Sequence, residues 1–447
     1  MIKRLINLLI VAIIGIPAIQ AQENVQAEKP LIPVVKLSDN VQVKLGGFVR
    51  AEYYLDSRET VGAVDDLFGF FPENEKKNTG DGKDQNEVVR QNLSTQATRF
   101  NALFTGPDAL NAKSSAFFEY DFSGGAATQA TTGATNSVGL RLRHAWAKLA
   151  WKKTEILIGK TWNPLAETVF PSVVGLHTGI PFRPFGRADQ LRVTLKPSAE
   201  INILLATVFQ SEHKSFVYSD GTINTGISNA NDTRSNPIPD LHAQLHYKNK
   251  NLFAGIATEY KVVRPATQTT GTSGTYNTDE TVASYALSAF ADYKQKLLNI
   301  KGSTIYGQNL SELFQQGGYA VKTYDATTGA RTYSASNSVS GWLNATYGNK
   351  VVVGLFGGYQ KNLGFNDNIL ASTAGGASAF LGRWQNVDHI YRVAPSLTYN
   401  LGRWKFQGEL DYNVAAYGTV DYANKGKVKG AKEIAGTRGL LATTFTF

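Results

Sequence analysis

The chain predicts an all-β fold, a transmembrane antiparallel β-barrel of about 16 strands with long extracellular loops and short periplasmic turns. Three observations carry that expectation. Period-two strands fill most of the chain, the connections between them alternate between long and short, and an apolar segment of the export type precedes them.

At the N-terminus, Lys3 and Arg4 precede an apolar run over residues 5–19, and the small Ala21 stands before the polar Gln22, Glu23 and Asn24. That order reads as a secretory signal peptide over residues 1–21, followed by a short periplasmic segment over 22–40 and the barrel over 41–447. Gly15 and Pro17 interrupt the run, which is shorter than the roughly 20 apolar residues of a spanning helix. No later stretch offers such a length, so a helical membrane protein is excluded.

The absence of Cys removes disulfide staples, so stability must come from a large core or a closed sheet. With 42 Gly, 20 Tyr, 23 Phe, one Met and only 18% charged residues, the composition suits aromatic strands punctuated by glycine. The formal charge is +9, and its basic residues are scattered along the chain. Nucleic acid is therefore an unfavoured partner, and a basic pore lining is the better use of the excess.

Strands of the length that a tilted membrane crossing requires are expected to begin near Val41, Thr95, Lys113, Gly139, Glu155, Gln190, Ile201, Asp240, Leu252, Thr281, Leu298, Val339, Val351, Asp388, Trp404 and Arg438. Long connections fall at 57–92, 123–137, 162–187, 211–239, 264–280, 308–338, 361–387 and 415–437. Tight turns such as Gly106-Pro107-Asp108, Lys152-Lys153-Thr154 and Lys248-Asn249-Lys250 separate them. A soluble sandwich or propeller also has many short strands, but it does not predict this strict alternation, and no blade-like repeat is present.

The two faces of the strands differ. Leu241, Ala243, Leu245 and Tyr247 share one face, opposite Asp240, His242, Gln244 and His246. Trp404, Phe406, Leu410 and Tyr412 stand likewise opposite Lys405, Gln407, Glu409 and Asp411. One face would meet outer-membrane lipid, and the other would line a polar, water-filled lumen. The last strand places Leu441, Thr443, Phe445 and the terminal Phe447 on one face, an ending like the signal read by the barrel assembly machinery.

The segment Gly-Leu-Arg-Leu-Arg-His-Ala-Trp-Ala-Lys-Leu at 139–149, followed by Ile-Leu-Ile-Gly-Lys-Thr-Trp-Asn-Pro at 156–164, resembles the DcaP-like family of trimeric outer-membrane porins. Gly47-Phe48-Val49-Arg50-Ala51 and Ala97-Thr98-Arg99-Phe100 are similar to that family's opening strands. The resemblance covers mainly the first third, through about Arg187. It implies a 16-stranded homotrimer that passes small organic acids, with the third extracellular loop folded into the pore. The chain departs from the pattern in Lys160 and in lacking an evident helical N-terminal extension.

Strand parity independently selects Lys44, Arg50, Arg99, Arg141, Arg143 and Arg192 as inward basic groups. Guanidinium groups can offer bidentate contacts to passing carboxylates or phosphates, so a pore-lining, solute-binding ladder for small anionic solutes is one reading. Pairing with the inward Glu52, Glu119 and Asp121 in a structural network is the other. The loop 162–187 is unusually apolar and is expected to fold inward, carrying Arg183 and Arg187 toward the constriction, or else to pack at a subunit contact. His144 and Lys148 fall awkwardly on the parity of Leu140 and Leu142.

Enzyme readings find little. There is no Gly-x-Ser-x-Gly elbow, Cys nucleophile or phosphate loop. His242 and His246 are roughly 14 Å apart on a strand, too far to share a metal. No cofactor is expected. The expectation is thus a porin for passive diffusion, its rivals being a solute-binding or adhesion barrel with a blocked pore and an outer-membrane hydrolase.

Overall fold

Alternation of apolar and polar residues resolves into sixteen antiparallel strands whose last member returns to pair with the first. The structure is a computed structural model that describes residues 34–38, 40–64, 67–124, 139–219, 222–223, 232–373 and 378–447. The expected signal peptide at 1–21, most of the segment 22–40 and the connection at 125–138 lie outside the described residues.

The strands are β1 (Val41–Asp56), β2 (Arg90–Ser94 continued by Arg99–Thr105), β3 (Lys113–Gly124), β4 (Gly139–Ala150), β5 (Thr154–Trp162) and β6 (Arg187–Leu195). There follow β7 (Ile201–Gln210), β8 (Asp240–Lys248), β9 (Leu252–Val263), β10 (Val282–Gln295) and β11 (Leu298–Gln308). The circuit ends with β12 (Arg331–Gly348), β13 (Val351–Phe365), β14 (Val387–Leu401), β15 (Trp404–Asp421) and β16 (Lys427–Thr446). Each pairs with its neighbours in sequence, and the barrel closes where β1 pairs with β16 from Phe48↔Thr446 to Asp56↔Arg438. Closure leaves no free edge, so every ladder group can be satisfied without water. Below the end of β16 the short strand Val35–Ser38 pairs with β1 at Val41, Gln42 and Val43.

Outward positions carry an apolar band. Leu140, Ile158, Leu287 and Leu343 are each more than half exposed, and many further Leu, Val and Tyr residues share that face. In water such a surface would drive aggregation, whereas against lipid it is the expected outer band. The inward residues of β8, Asp240, His242 and Gln244, are buried while Leu241 and Leu245 are exposed, as the parity reading requires.

Several boundaries differ from expectation. β12 begins at Arg331, not near Val339, and β16 begins at Lys427, not near Arg438. The stretch 415–437 is therefore no loop but a hairpin in which Ala415 pairs with Ile434 and Asp421 with Lys427. Its sequence lost the lipid-type alternation because both strands project past the apolar band, where Lys427, Lys429 and Lys432 are polar positions that need no lipid-facing partner. β2 starts at Arg90 and is interrupted at residues 95–98, where Thr98 Oγ1 accepts from Arg50 N at 3.2 Å.

Nor is the interior uniformly polar. A buried apolar cluster joins loop residues Phe68, Phe70, Phe71, Leu165, Ile180, Phe182, Phe185, Leu310 and Leu313 to inward Phe290, Trp342 and Phe356. Strand parity predicts a polar wall and is silent about what the loops bring inside; the apolar loop expected to fold inward supplies Leu165, Ile180, Phe182 and Phe185 to this cluster.

A closed ladder has no edge at which to unravel. The folded chain should therefore resist sodium dodecyl sulfate at room temperature and migrate differently on gels after boiling. Identical migration of heated and unheated samples would contradict closure.

Candidate functional site

The loop 163–186 leaves β5 through a short helix, Pro164–Glu167, whose first turn is fixed by Pro164 and by Asn163 Oδ1 accepting from Leu165 N at 2.9 Å. It then meets inward side chains of six strands. Ser172 N donates to Asn344 Oδ1 at 2.8 Å on β12, and Lys301 Nζ of β11 donates to Ser172 Oγ at 3.0 Å. Val174 N and Gly175 N donate to the two oxygens of Glu409 on β15, at 2.7 and 2.9 Å. From β1, Arg50 Nη2 donates to Val174 O at 2.7 Å while its guanidinium also pairs with Glu52 at 2.8 Å. Phe182 packs on Phe356 of β13, with ring centroids 6.1 Å apart.

At the turn of this loop, His177 Nδ1 accepts from Gly179 N at 3.1 Å and from Arg392 Nη1 of β14 at 2.8 Å. The backbone donor on Nδ1 favours the ring proton on Nε2, which faces Asp411 Oδ2 at 3.4 Å and Glu409 Oε1 at 3.7 Å and lies 3.2 Å from the same Arg392 Nη1. His177, Glu409 and Asp411 have the spacing of a metal cluster. The group does not fit a metal, because ligation through Nε2 would move the proton to Nδ1, against the donors already there. Glycine is needed at 175, since a Cβ would meet His177 Nε2 at 2.4 Å. The same Arg392 reaches the first loop, donating to Gly69 O and Phe70 O at 2.9 and 2.7 Å.

Each expected basic residue has a definite place. On one wall, Arg141 forms a bidentate pair with Asp121 at 3.0 and 2.6 Å, and Arg143 bridges Glu119 at 2.6 Å and Asp121 at 2.7 Å. Arg187 pairs with Glu212 at 2.5 Å and lies over the Trp162 ring at 4.5 Å, and Arg141 reaches the same Glu212 at 3.5 Å. Arg99 completes the group, 3.9 Å from Glu119 and over the Phe48 ring at 5.3 Å. Burial pushes the Glu212 carboxyl up, but Arg187, His213 and Arg141 outweigh it and hold it below the usual carboxylate range.

Arg192 stands apart, on Gln190 Oε1 at 2.8 and 3.1 Å and Glu167 at 2.5 Å. Arg183 is inside the loop itself, bonded to Ala166 O and Thr178 Oγ1 and stacked 4.1 Å from the Phe170 centroid. Burial brings its guanidinium down to about 9, so it stays charged at neutral pH. Lys44 is exposed near the start of β1, away from the arginine group. Arg50, Arg99, Arg141 and Arg143 are thus joined to the acids of the network reading, Glu52, Glu119 and Asp121, whereas Arg187 and Arg192 pair with Glu212 and Glu167.

The awkward parity of His144 and Lys148 has a physical cause. Glu119 pairs with His144 and Tyr120 with Leu142, so Arg143 is the extra residue of a β-bulge. Beyond it the parity inverts, and His144, Trp146 and Lys148 turn inward. His144 Nδ1 then lies 3.1 Å from Thr161 Oγ1. Sequence reasoning missed Glu212 and His177 because loop residues do not obey strand periodicity, and it did not single out Arg392 although that residue lies within the strand expected near Asp388. Glu409 and Asp411 were visible as inward acids, but not their loop partner.

Replacing Glu409 by Ala leaves two loop amides without an acceptor, a loss of about 3 kcal/mol for charge-assisted bonds in a buried site. Hydrogen exchange at Val174 and Gly175 should accelerate about a hundredfold in a folded Glu409→Ala barrel. Unchanged protection would show that Glu409 does not hold the loop.

No family model matches the sequence, and no curated relative matches it. Among solved structures, the outer-membrane channel DcaP of Acinetobacter baumannii is similar at 15% identity and a TM-score of 0.66, over 93% of this chain and 100% of that one. The outer-membrane protein OmpT of Vibrio cholerae, folded in vitro, is similar at 9% identity and a TM-score of 0.54, over 93% and 100%. The anion-selective porin from Comamonas acidovorans is similar at 12% identity and a TM-score of 0.51, over 91% and 100%. The fold expected from the DcaP-like resemblance is therefore the fold observed: a sixteen-stranded barrel shared with outer-membrane porins.

Proposed function

We propose that the chain is an outer-membrane porin that admits small hydrophilic solutes by passive diffusion and prefers anions, working as a homotrimer after export and signal cleavage. The observation that carries the anion preference is the charge on one inner wall. Arg99, Arg141, Arg143 and Arg187 gather there against Glu119, Asp121 and Glu212. Four guanidinium groups face three carboxylates, which leaves one positive charge uncompensated. Arg99 is the member with the loosest ion pair, and its side chain is 22% exposed. The wall fits carboxylate solutes better than ammonium solutes. The barrel's likeness to a porin described as anion-selective is consistent with this reading.

One observation favours the blocked-pore rival. The rings of Phe68 and Phe185, and of Phe70 and Phe314, lie 5.7 and 5.4 Å apart, so the first, third and sixth extracellular connections nest at the outer mouth. Planar-bilayer conductance separates the readings, since a blocked barrel passes little current.

A unit charge about 8 Å from a hydrated ion contributes roughly 0.5 kcal/mol at the dielectric of water, enough to change a permeability ratio about twofold. Reversal potentials across a salt gradient should show anion preference, and Arg99→Gln should lower the anion-to-cation ratio about twofold. Cation preference in the unaltered protein, or an unaltered ratio in the variant, would contradict the assignment.

A further inference from the structure

Toward the periplasmic end, beneath the helix Pro164–Glu167, the inner wall encloses a cavity of about 230 Å³ whose lining includes Trp146, Lys148, Glu155, Thr161, Glu167 and Arg192. The bulge at Arg143 puts it there by turning Trp146 and Lys148 inward. The register then sets Lys148 opposite Leu157 and Leu157 opposite Arg192, with Glu155 opposite Thr194 in the next row. Trp146 faces Gly159, a position where φ is +125° and a Cβ would strike Ala145 O, so no side chain competes with the indole for the wall.

The cavity carries both signs of charge, and they are unequally engaged. Arg192 is held by Gln190 and Glu167. Glu155 is taken by Lys196 at 2.5 Å, which leaves Lys148 at 4.0 Å from it, the outer limit of an ion pair. Lys148 Nζ also sits 5.7 Å from the Trp146 centroid and its side chain is 30% exposed. Glu167 gives one oxygen to Arg192 while 42% of its side chain stays exposed. An accessible ammonium donor and an accessible carboxylate acceptor thus line one small space beside an indole face.

We propose that this cavity is a binding subsite for small dipolar solutes that carry a carboxylate and an ammonium on one short backbone, the class of free α-amino acids. The solute carboxylate takes Lys148 Nζ and the Thr161 hydroxyl, its ammonium takes Glu167, and its remaining atoms lie on Trp146. A simple anion can engage Lys148 but leaves the exposed oxygen of Glu167 without an ammonium, and a simple cation can engage Glu167 but leaves Lys148 without a carboxylate, so each binds more weakly than a solute carrying both groups. The volume is below that of a drug-sized pocket, which limits the ligand to about ten heavy atoms. Access to the cavity rests on the porin reading, whereas binding in detergent does not.

Isothermal titration of the folded, detergent-solubilised barrel with L-asparagine tests the assignment, with acetate and methylammonium as controls. L-Asparagine should bind, each control should bind at least about tenfold more weakly, and Lys148→Gln and Trp146→Phe should each weaken it about tenfold. Heat-modifiable migration of both variants establishes that they are folded. Absent binding, acetate binding equal to that of L-asparagine, or full affinity in both folded variants would overturn the subsite. A barrel that binds L-asparagine in this pattern yet passes no current would refute the porin reading and uphold the subsite.

Discussion

The ladder that joins β1 to β16 is the constraint on which the rest of this molecule depends. A membrane interior offers no water to the backbone, so a sheet can lie there only if every strand is paired on both edges. Once Phe48 through Asp56 pair with Thr446 through Arg438, side chains have only two places to go. Leu, Val and Tyr go out to lipid. Most charged side chains go inward, into a space where they must be neutralised by what they find there, while Lys160 and Asp189 face each other on the outward parity.

That second consequence explains why acids and arginines recur together. Asp56 with Arg438, Asp121 with Arg141 and Arg143, and Glu52 with Arg50 are pairs on inward faces, and each leaves donor or acceptor capacity for a loop. Glu409 spends its capacity on Val174 and Gly175, and Arg392 spends its own on His177 and the Gly69–Phe70 backbone. Lys261 does the same for the sixth connection, donating to Asn309 O and Glu312. The wall therefore fixes the loops through charged hydrogen bonds, while their aromatic side chains pack on one another in the middle. The residues that position the loops share the inner face with the arginine group, so an arginine on this wall cannot be read as a free ligand for solutes without counting its carboxylates.

Much of the fold was legible because its determinants are local. The alternation in Asp240–Lys248 and Trp404–Tyr412 reports which side meets lipid, and the contrast between Gly106-Pro107-Asp108 and the long stretch 162–187 reports which end of the barrel is which. The hairpin of β15 and β16 was hidden, since its outer rungs, such as Thr419↔Lys429, lie where neither face must be apolar. The site was less legible than the fold. Parity found Arg50, Arg99, Arg141, Arg143 and Arg192, but a single extra residue at Arg143 inverted the faces beyond it and disguised Trp146 and Lys148. Loop partners such as Glu212 and His177 are set by contacts across the barrel, which no periodicity encodes.

The central claim is that the third extracellular loop is held inside the barrel by its wall. Because the chain has no native Cys, Ser172→Cys with Asn344→Cys gives the only two thiols in the molecule. Treatment of the membrane-embedded protein with a short bismaleimide should join them in high yield, since Ser172 N lies 2.8 Å from Asn344 Oδ1, and should change the single-channel current. Two thiols that react singly and never cross-link, with the loop thiol modified from outside at the rate of an exposed loop, would contradict the account.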